Sequence, residues 1–206
     1  MNSYLPDSQE CSAPPVGPTL PSEVTGFREP ADISQEVRLH IGGLEPRAGW
    51  KILNIQPGPH VDFVGSCTDL TGFADGSIAE VYASHVFEHL GYQAELPQVM
   101  DGIRRVLRPG GTLRISVPDL DVLCRMFVHP ALTAEARFHV MRIIYGGQMD
   151  AHDFHKVGFT LEFLTYFLAR HGFRDIRRVA SHELFDDTSR LVLFGQPISL
   201  NVVASA

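Results

Sequence analysis

Two short stretches concentrate side chains that can move a proton or hold a metal ion. Ala83-Ser84-His85-Val86-Phe87-Glu88-His89-Leu90 brings two imidazoles and a carboxylate together. On a helix His85, Glu88 and His89 would stand at i, i+3 and i+4 and share a face. Imidazole titrates near neutral pH, so His85 or His89 could take a proton from a hydroxyl or an amine. The His-x-x-x-His spacing could also hold a metal, although Glu88 is not next to the first histidine as in the His-Glu-x-x-His zinc motif. The second stretch, Gln148-Met149-Asp150-Ala151-His152-Asp153-Phe154-His155, puts two Asp and two His in a polar loop. Local Asp–His pairing, substrate contact and His155 as a base are all open readings there, since loops over a site carry such contacts. Phe185-Asp186-Asp187-Thr188-Ser189 reads first as turn chemistry and second as a loop on the substrate side.

The elements that must position these groups follow from apolar periodicity. Short apolar runs at Val37–Ile41, 50–55, 61–64, 80–83, 112–117, 173–179 and 198–204 read as strands. Residues 96–107 carry apolar side chains at 96, 99, 100, 103, 106 and 107, the spacing of an amphipathic helix, with Arg108-Pro109-Gly110-Gly111 as its stop. Further helices are expected over Leu120–Phe127, capped by Asp119, and over 133–145 and 160–170. Alternating strands and helices predict an α/β fold, a mainly parallel sheet covered on both faces. Such sheets bind ligands beyond the carboxyl ends of their strands. Gly42-Gly43 follows the first strand, where a tight turn lets a ligand approach the main chain. Asn54 ends the second, where a polar group can meet ribose hydroxyls. The loop Gly65-Ser66-Cys67-Thr68-Asp69-Leu70 follows the third: Ser66 or Asp69 could bond an exocyclic amine, and Cys67 or Leu70 could lie on a ring face. Ser84 and His85 stand at the tip of the fourth, as a wall of the same site.

Composition narrows the remaining choices. The 206 residues carry a formal net charge of -7, which argues against general affinity for nucleic acid or anionic membranes. Arg104, Arg105 and Arg108 read as a solvated helix face. Three widely spaced cysteines with no Cys-x-x-Cys pair argue against a disulfide framework or a structural zinc site. No apolar run approaches the roughly 20 residues that span a bilayer, and no basic segment followed by an apolar core opens the chain, so a cytoplasmic location is the expectation. Residues 1–30, rich in Pro, Ser, Glu and Gly, are expected to be a disordered tail before a domain at 31–206.

The stretches FADGSIAEVYASHVFEHL, GIRRVLRPGGTLRISVPDL and HKVGFTLEFLTYFLARHGFRDIRRV, in this order behind the Gly42-Gly43 turn, resemble the class I S-adenosylmethionine-dependent methyltransferases of the methyltransferase type 11 group. The resemblance runs from Val37 to the C-terminus. It implies a Rossmann-like seven-stranded sheet with the last strand antiparallel and inserted beside the sixth. It also implies S-adenosylmethionine as cofactor, with Gly42 and Gly43 at its methionine end, Asn54 at the ribose, Ser66, Cys67, Asp69 and Leu70 around the adenine, and Ser84 and His85 walling the site. Three positions depart from the group's pattern. Gly42-Gly43-Leu44 stands for Gly-x-Gly, Asn54 for an acidic ribose ligand and Ser66 for Asp. A neutral hydrogen bond contributes about half the ~1.5–3 kcal/mol of a charged one, so two such exchanges are expected to weaken cofactor binding by roughly ten- to a thousandfold. The expected reaction is methyl transfer to an O or N nucleophile of a small molecule or saccharide, assisted by His85, His89 or His155. Two alternatives stand beside it: a methyltransferase-like binding module with weakened catalysis, and a metal-dependent enzyme using His85, Glu88, His89, His152 or His155.

Overall fold

Residues 36–206 are described by the structure, a computed structural model, so the tail expected at 1–30 lies outside the described residues. Strands β1 (Val37–Ile41), β2 (Trp50–Asn54), β3 (Phe63–Val64) and β4 (Ile78–Ser84) precede helix α1 (Glu95–Val106) and strand β5 (Leu107–Pro118). Helices α2 (Leu120–Phe127), α3 (Ala134–Tyr145) and α4 (Leu161–Arg170) lead to β6 (Arg174–Val179), the short pair β7 (Val192–Leu193) and β8 (Gln196–Pro197), and β9 (Ser199–Ser205). Seven strands form one sheet in the order β3-β2-β1-β4-β5-β9-β6. The first five are mutually parallel, and β9 runs antiparallel to both neighbours. This is the Rossmann-like arrangement expected from the sequence, with the last strand inserted beside the sixth. Strand order reverses between β1 and β4, which makes their carboxyl ends the switch point where such sheets bind ligands.

Alternation along the strands divides the two faces. Leu39, Ile41, Leu53, Val81, Ala83, Leu113, Ile115 and Val117 point into the main core, where Leu96, Val99, Met100, Ile103 and Val106 of α1 and Leu164 and Leu168 of α4 meet them. The periodicity of α1 is thus spent on a continuous buried stripe. On the other face, His40, Trp50 and Tyr82 meet Phe185: its ring lies 4.0 Å from that of His40 and is stacked on Tyr82 at 5.2 Å. Arg47 donates to the Leu184 carbonyl and holds this segment down.

Local chemistry sets the boundaries. Asp119 caps α2 by accepting from Val122 N at 3.3 Å, and its other oxygen accepts from Arg178 at 2.8 Å. Thr133 and Thr160 cap α3 and α4. The expected stop at Arg108–Gly111 sits inside β5, because the β4–β5 ladder shifts register there: Ile78 pairs with Leu107, and Glu80 with Thr112. Arg105 is not a solvated side chain: its guanidinium donates to the carbonyls of Leu70 and Phe73 and pairs with Asp75, tacking the loop after β3 onto α1.

Candidate active site

The parallel strands bring Gly42, Asn54, Gly65 and His85 to one edge of the sheet, each tied to its neighbour. Gly42 N donates to Leu53 O, Gly65 N to Asn54 O and His85 N to Ser116 O. Both turn glycines are required by close approach. A Cβ on Gly42, whose φ is +77°, would lie 2.6 Å from Val86 Cγ2, and one on Gly43 would lie 2.4 Å from His40 Nδ1. Asn54 spends its amide within this turn: Nδ2 donates to Gly43 O and Oδ1 accepts from Gln56 N. Exposed apolar side chains follow the three strand ends, Leu44 after β1, Ile55 after β2 and Val64 at the end of β3. A Cβ on Gly65, between the ends of β3 and its loop, would make only an ordinary contact, 3.8 Å from Leu53 Cδ1.

The loop after β3 divides its residues. Ser66 Oγ shares a hydrogen bond with Thr68, and Asp69 is exposed, accepting from Thr71 N and Oγ1, which hold its carboxyl below the usual range. Cys67 and Leu70 are buried in the main core, and burial pushes the Cys67 thiol up to about 11.

His85 follows β4 with φ of +54°, a left-handed conformation uncommon outside glycine and found at strained functional positions. That backbone prevents the helix on which His85, Glu88 and His89 would share a face; only Phe87–His89 makes a single 3-10 turn. His85 instead meets the far end of the chain. Its Nδ1 lies 2.7 Å from Thr188 Oγ1 and 3.2 Å from Ser84 Oγ, and its Nε2 faces Ser199 Oγ at 3.5 Å. Ser199 is at this edge because β9 is antiparallel, which pairs its first residue with Pro118 at the end of β5. Burial, partly offset by Asp187, pushes the His85 imidazole down to about 4. Asp187 accepts from Tyr82 OH at 2.7 Å. Thr188 lies in the 185–189 stretch whose second reading was a loop on the substrate side, but nothing local in the sequence marked Ser199, and the contacts span half the chain or more.

A cavity of about 230 Å³ opens here, lined by His85, His139, Arg142 and His155 with apolar walls from Ile143 and Ile198. A larger hollow of about 390 Å³, lined by Arg47, Trp50 and His60, lies at the amino end of β2, away from the strand tips where the chemistry-bearing residues gather.

Of the loop 148–155, only His155 reaches the cavity. Asp153 accepts from Gly147 N and Met149 N, Asp150 from His152 N, and the His152 side chain is exposed. His155 stands at right angles to His89, ring centres 4.8 Å apart. Burial lowers both imidazoles and pushes the Glu88 carboxyl up to about 8. The three histidines expected to do chemistry therefore share one edge, His85 and His155 on the cavity and His89 behind His155.

Comparison with known proteins bears on the fold. The methyltransferase domain family model matches residues 40–115. A search of curated protein sequences returned no match. Among solved structures, a SAM-dependent methyltransferase from Archaeoglobus fulgidus aligns with a TM-score of 0.53 at 17% identity, over 84% of this chain and 87% of that one. The DszA carbon methyltransferase aligns with a TM-score of 0.53 at 12% identity, over 86% of this chain and 49% of that one. The CurJ carbon methyltransferase gives 0.50 at 13%, over 85% and 50%. The chain thus spans about half the length of the two carbon methyltransferases. No described helix is long and apolar enough to cross a membrane. With a methyltransferase domain model matched from residue 40 to 115 and the strands in this order, the chain has the fold of the class I S-adenosylmethionine-dependent methyltransferases.

Proposed function

We propose that the chain methylates an oxygen or nitrogen nucleophile of a small molecule held in the His85–His155 cavity. The observation that carries this reading is the cavity's position: it shares His85 with the tip of β4, whose next residue, Val86, packs on the Gly42 turn. In this reading Gly42 and Gly43 offer main-chain atoms to the methionine part of S-adenosylmethionine. Asn54, Ser66 and Asp69 face the adenosine, over the apolar surface of Leu44, Ile55 and Val64. Cys67 and Leu70 shape the loop from beneath, and Ser84 walls the site. The bound cofactor supplies an electrophilic methyl sulfonium. The protein's own work is then to align the acceptor with that methyl and to exclude water.

His85 is placed to take the acceptor's proton. With its Nδ1 held by Thr188, a proton on Nδ1 leaves Nε2 as the basic nitrogen. His155, on the same cavity, is the other base available, with His89 packed behind it. Apolar walls beside Arg142 and His139 suit an acceptor with an apolar body and a polar or anionic group better than a saccharide. A second reading, a binding module with weakened catalysis, draws support from Asn54, whose amide is engaged on both sides.

Calorimetric titration with S-adenosylmethionine and S-adenosylhomocysteine separates the two. Binding at micromolar concentration is expected. Absence of heat with either compound would leave the module reading. Given an acceptor, His85→Ala is expected to lower kcat by roughly 10²–10⁴-fold, the span of general base catalysis; unchanged turnover would remove His85 as the base.

A further inference from the structure

We infer that Glu88, His89 and His155 form a binding site for a zinc-type divalent metal ion beside the acceptor cavity. One ligand atom from each lies within 4.8 Å of the other two. Glu88 is 1% exposed, and neither carboxylate oxygen has a hydrogen-bond partner among the described residues. A buried carboxylate with two empty acceptors is costly unless a cation or a proton answers it. The carboxylate stands beside two imidazoles, the mixed nitrogen and oxygen donor set of His₂Glu zinc sites.

The surroundings orient the ligands as metal sites require. His89 Nδ1 lies 3.2 Å from the Phe154 carbonyl; donating its proton there leaves Nε2 with its lone pair for an ion. The two segments that carry the ligands are clamped together: Lys156 N donates to Glu88 O at 2.7 Å and Val157 N to the same oxygen at 3.3 Å. Zinc–ligand distances of about 2.0–2.2 Å place tetrahedral ligand atoms roughly 3.4 Å apart, so the side chains must draw together by up to about 1.4 Å. Rotation of His155 in its loop can supply that movement.

Because His155 also lines the cavity, an open coordination position on the ion would face the acceptor. The metal would take the acceptor's hydroxyl oxygen as an alkoxide or phenolate, its proton passing to a base such as His85; the new O–C bond would form as the methyl–sulfur bond of S-adenosylmethionine breaks, its electron pair staying on sulfur as S-adenosylhomocysteine leaves. This last step rests on the methyl-transfer reading; the site itself does not.

The test uses the full chain, purified without a histidine tag, and zinc as the probe. Calorimetry should show one equivalent of Zn²⁺ bound at micromolar or tighter Kd. Glu88→Gln and His155→Asn should each weaken it at least tenfold, while His152→Asn, exposed in the same loop, should leave it unchanged. Cobalt substitution should give the visible absorption of a four- or five-coordinate nitrogen and oxygen site. No stoichiometric binding, or binding undiminished in both Glu88→Gln and His155→Asn, would overturn the proposal. Parallel titration with S-adenosylmethionine keeps the two readings apart: zinc bound without cofactor leaves the site standing and removes methyl transfer.

Discussion

At the scale of single residues, the Gly42-Gly43 turn depends on what lies under it. The imidazole of His40 fills the space that a side chain at position 43 would need, with three of its ring atoms 2.4–2.7 Å from where a Cβ would sit. The ring cannot retreat, because Phe185 and Tyr82 hold it at 4.0 and 5.0 Å. Gly43→Ala is therefore expected to cost about 1–3 kcal/mol through overpacking, a fall in Tm of roughly 3–10 °C, and to weaken cofactor binding. Combining it with His40→Ala should recover most of the lost Tm, because the second change removes the atoms that clash. A double variant no more stable than Gly43→Ala would mean that the turn, not the ring beneath it, is the source of the cost. Gly42 is tied in the other direction, to Val86, so the two glycines couple the β1 turn to the sheet's second face and to the strand that presents His85.

At the scale of elements, the antiparallel β9 decides what His85 can do. Inserted beside β5, it delivers Ser199 and the preceding Thr188 to an imidazole that comes from the middle of the chain. Ser199 Oγ donates to Thr188 O at 2.8 Å, which fixes the Thr188 main chain and with it the hydroxyl on Nδ1. Thr188→Val keeps the shape and removes that hydroxyl. The expected result is a fall in kcat of about tenfold or more, with Tm and cofactor affinity nearly unchanged and partial recovery in Thr188→Ser. Loss of Tm in parallel with kcat would make Thr188 a packing residue only. This arrangement also shows where sequence reading stops. Strands and helices were legible because alternation and the 3.6-residue stripe are local, as in β4 and α1. The two glycines and His85 beside strand tips, and His155 in a polar loop, stand where the local sequence put them. The shared helical face of His85, Glu88 and His89 was not realised, because the left-handed backbone at His85 breaks it. Cys67 and Leu70 went into the core because Arg105 pulls their loop onto α1. The Thr188 and Ser199 contacts come from strand order, which no local window contains.

At the scale of the whole molecule, the second face of the sheet is an acid-sensitive layer. His40 and His182 are buried there, and His85 stands at its edge. Burial pushes His40 down to about 4, with the Asp187 carboxylate partly opposing, and lowers His182 as well. An unfolded imidazole titrates near 6.5. Between about 6.5 and 4, then, the unfolded chain binds a proton that folded His40 refuses, so stability falls as pH falls through this window and is unaffected by His40 above it. Glu88 acts with the opposite sign. Its carboxyl, raised to about 8 from an ordinary value near 4.5, makes the folded state lose stability as pH rises between those values. The two trends oppose each other between about 4.5 and 6.5, so the wild-type melting curve alone does not isolate either. The difference between wild type and His40→Phe does, because phenyl fills the aromatic cluster without titrating. The Tm of His40→Phe relative to wild type is expected to rise by about 4–8 °C as pH is lowered from 7 to 5, the equivalent of about 2 kcal/mol for one proton over that span. A constant difference across this range would mean that folded His40 accepts a proton where it stands, with Asp187 as its counter-charge, and that the layer's sensitivity to acid lies with His85 and His182.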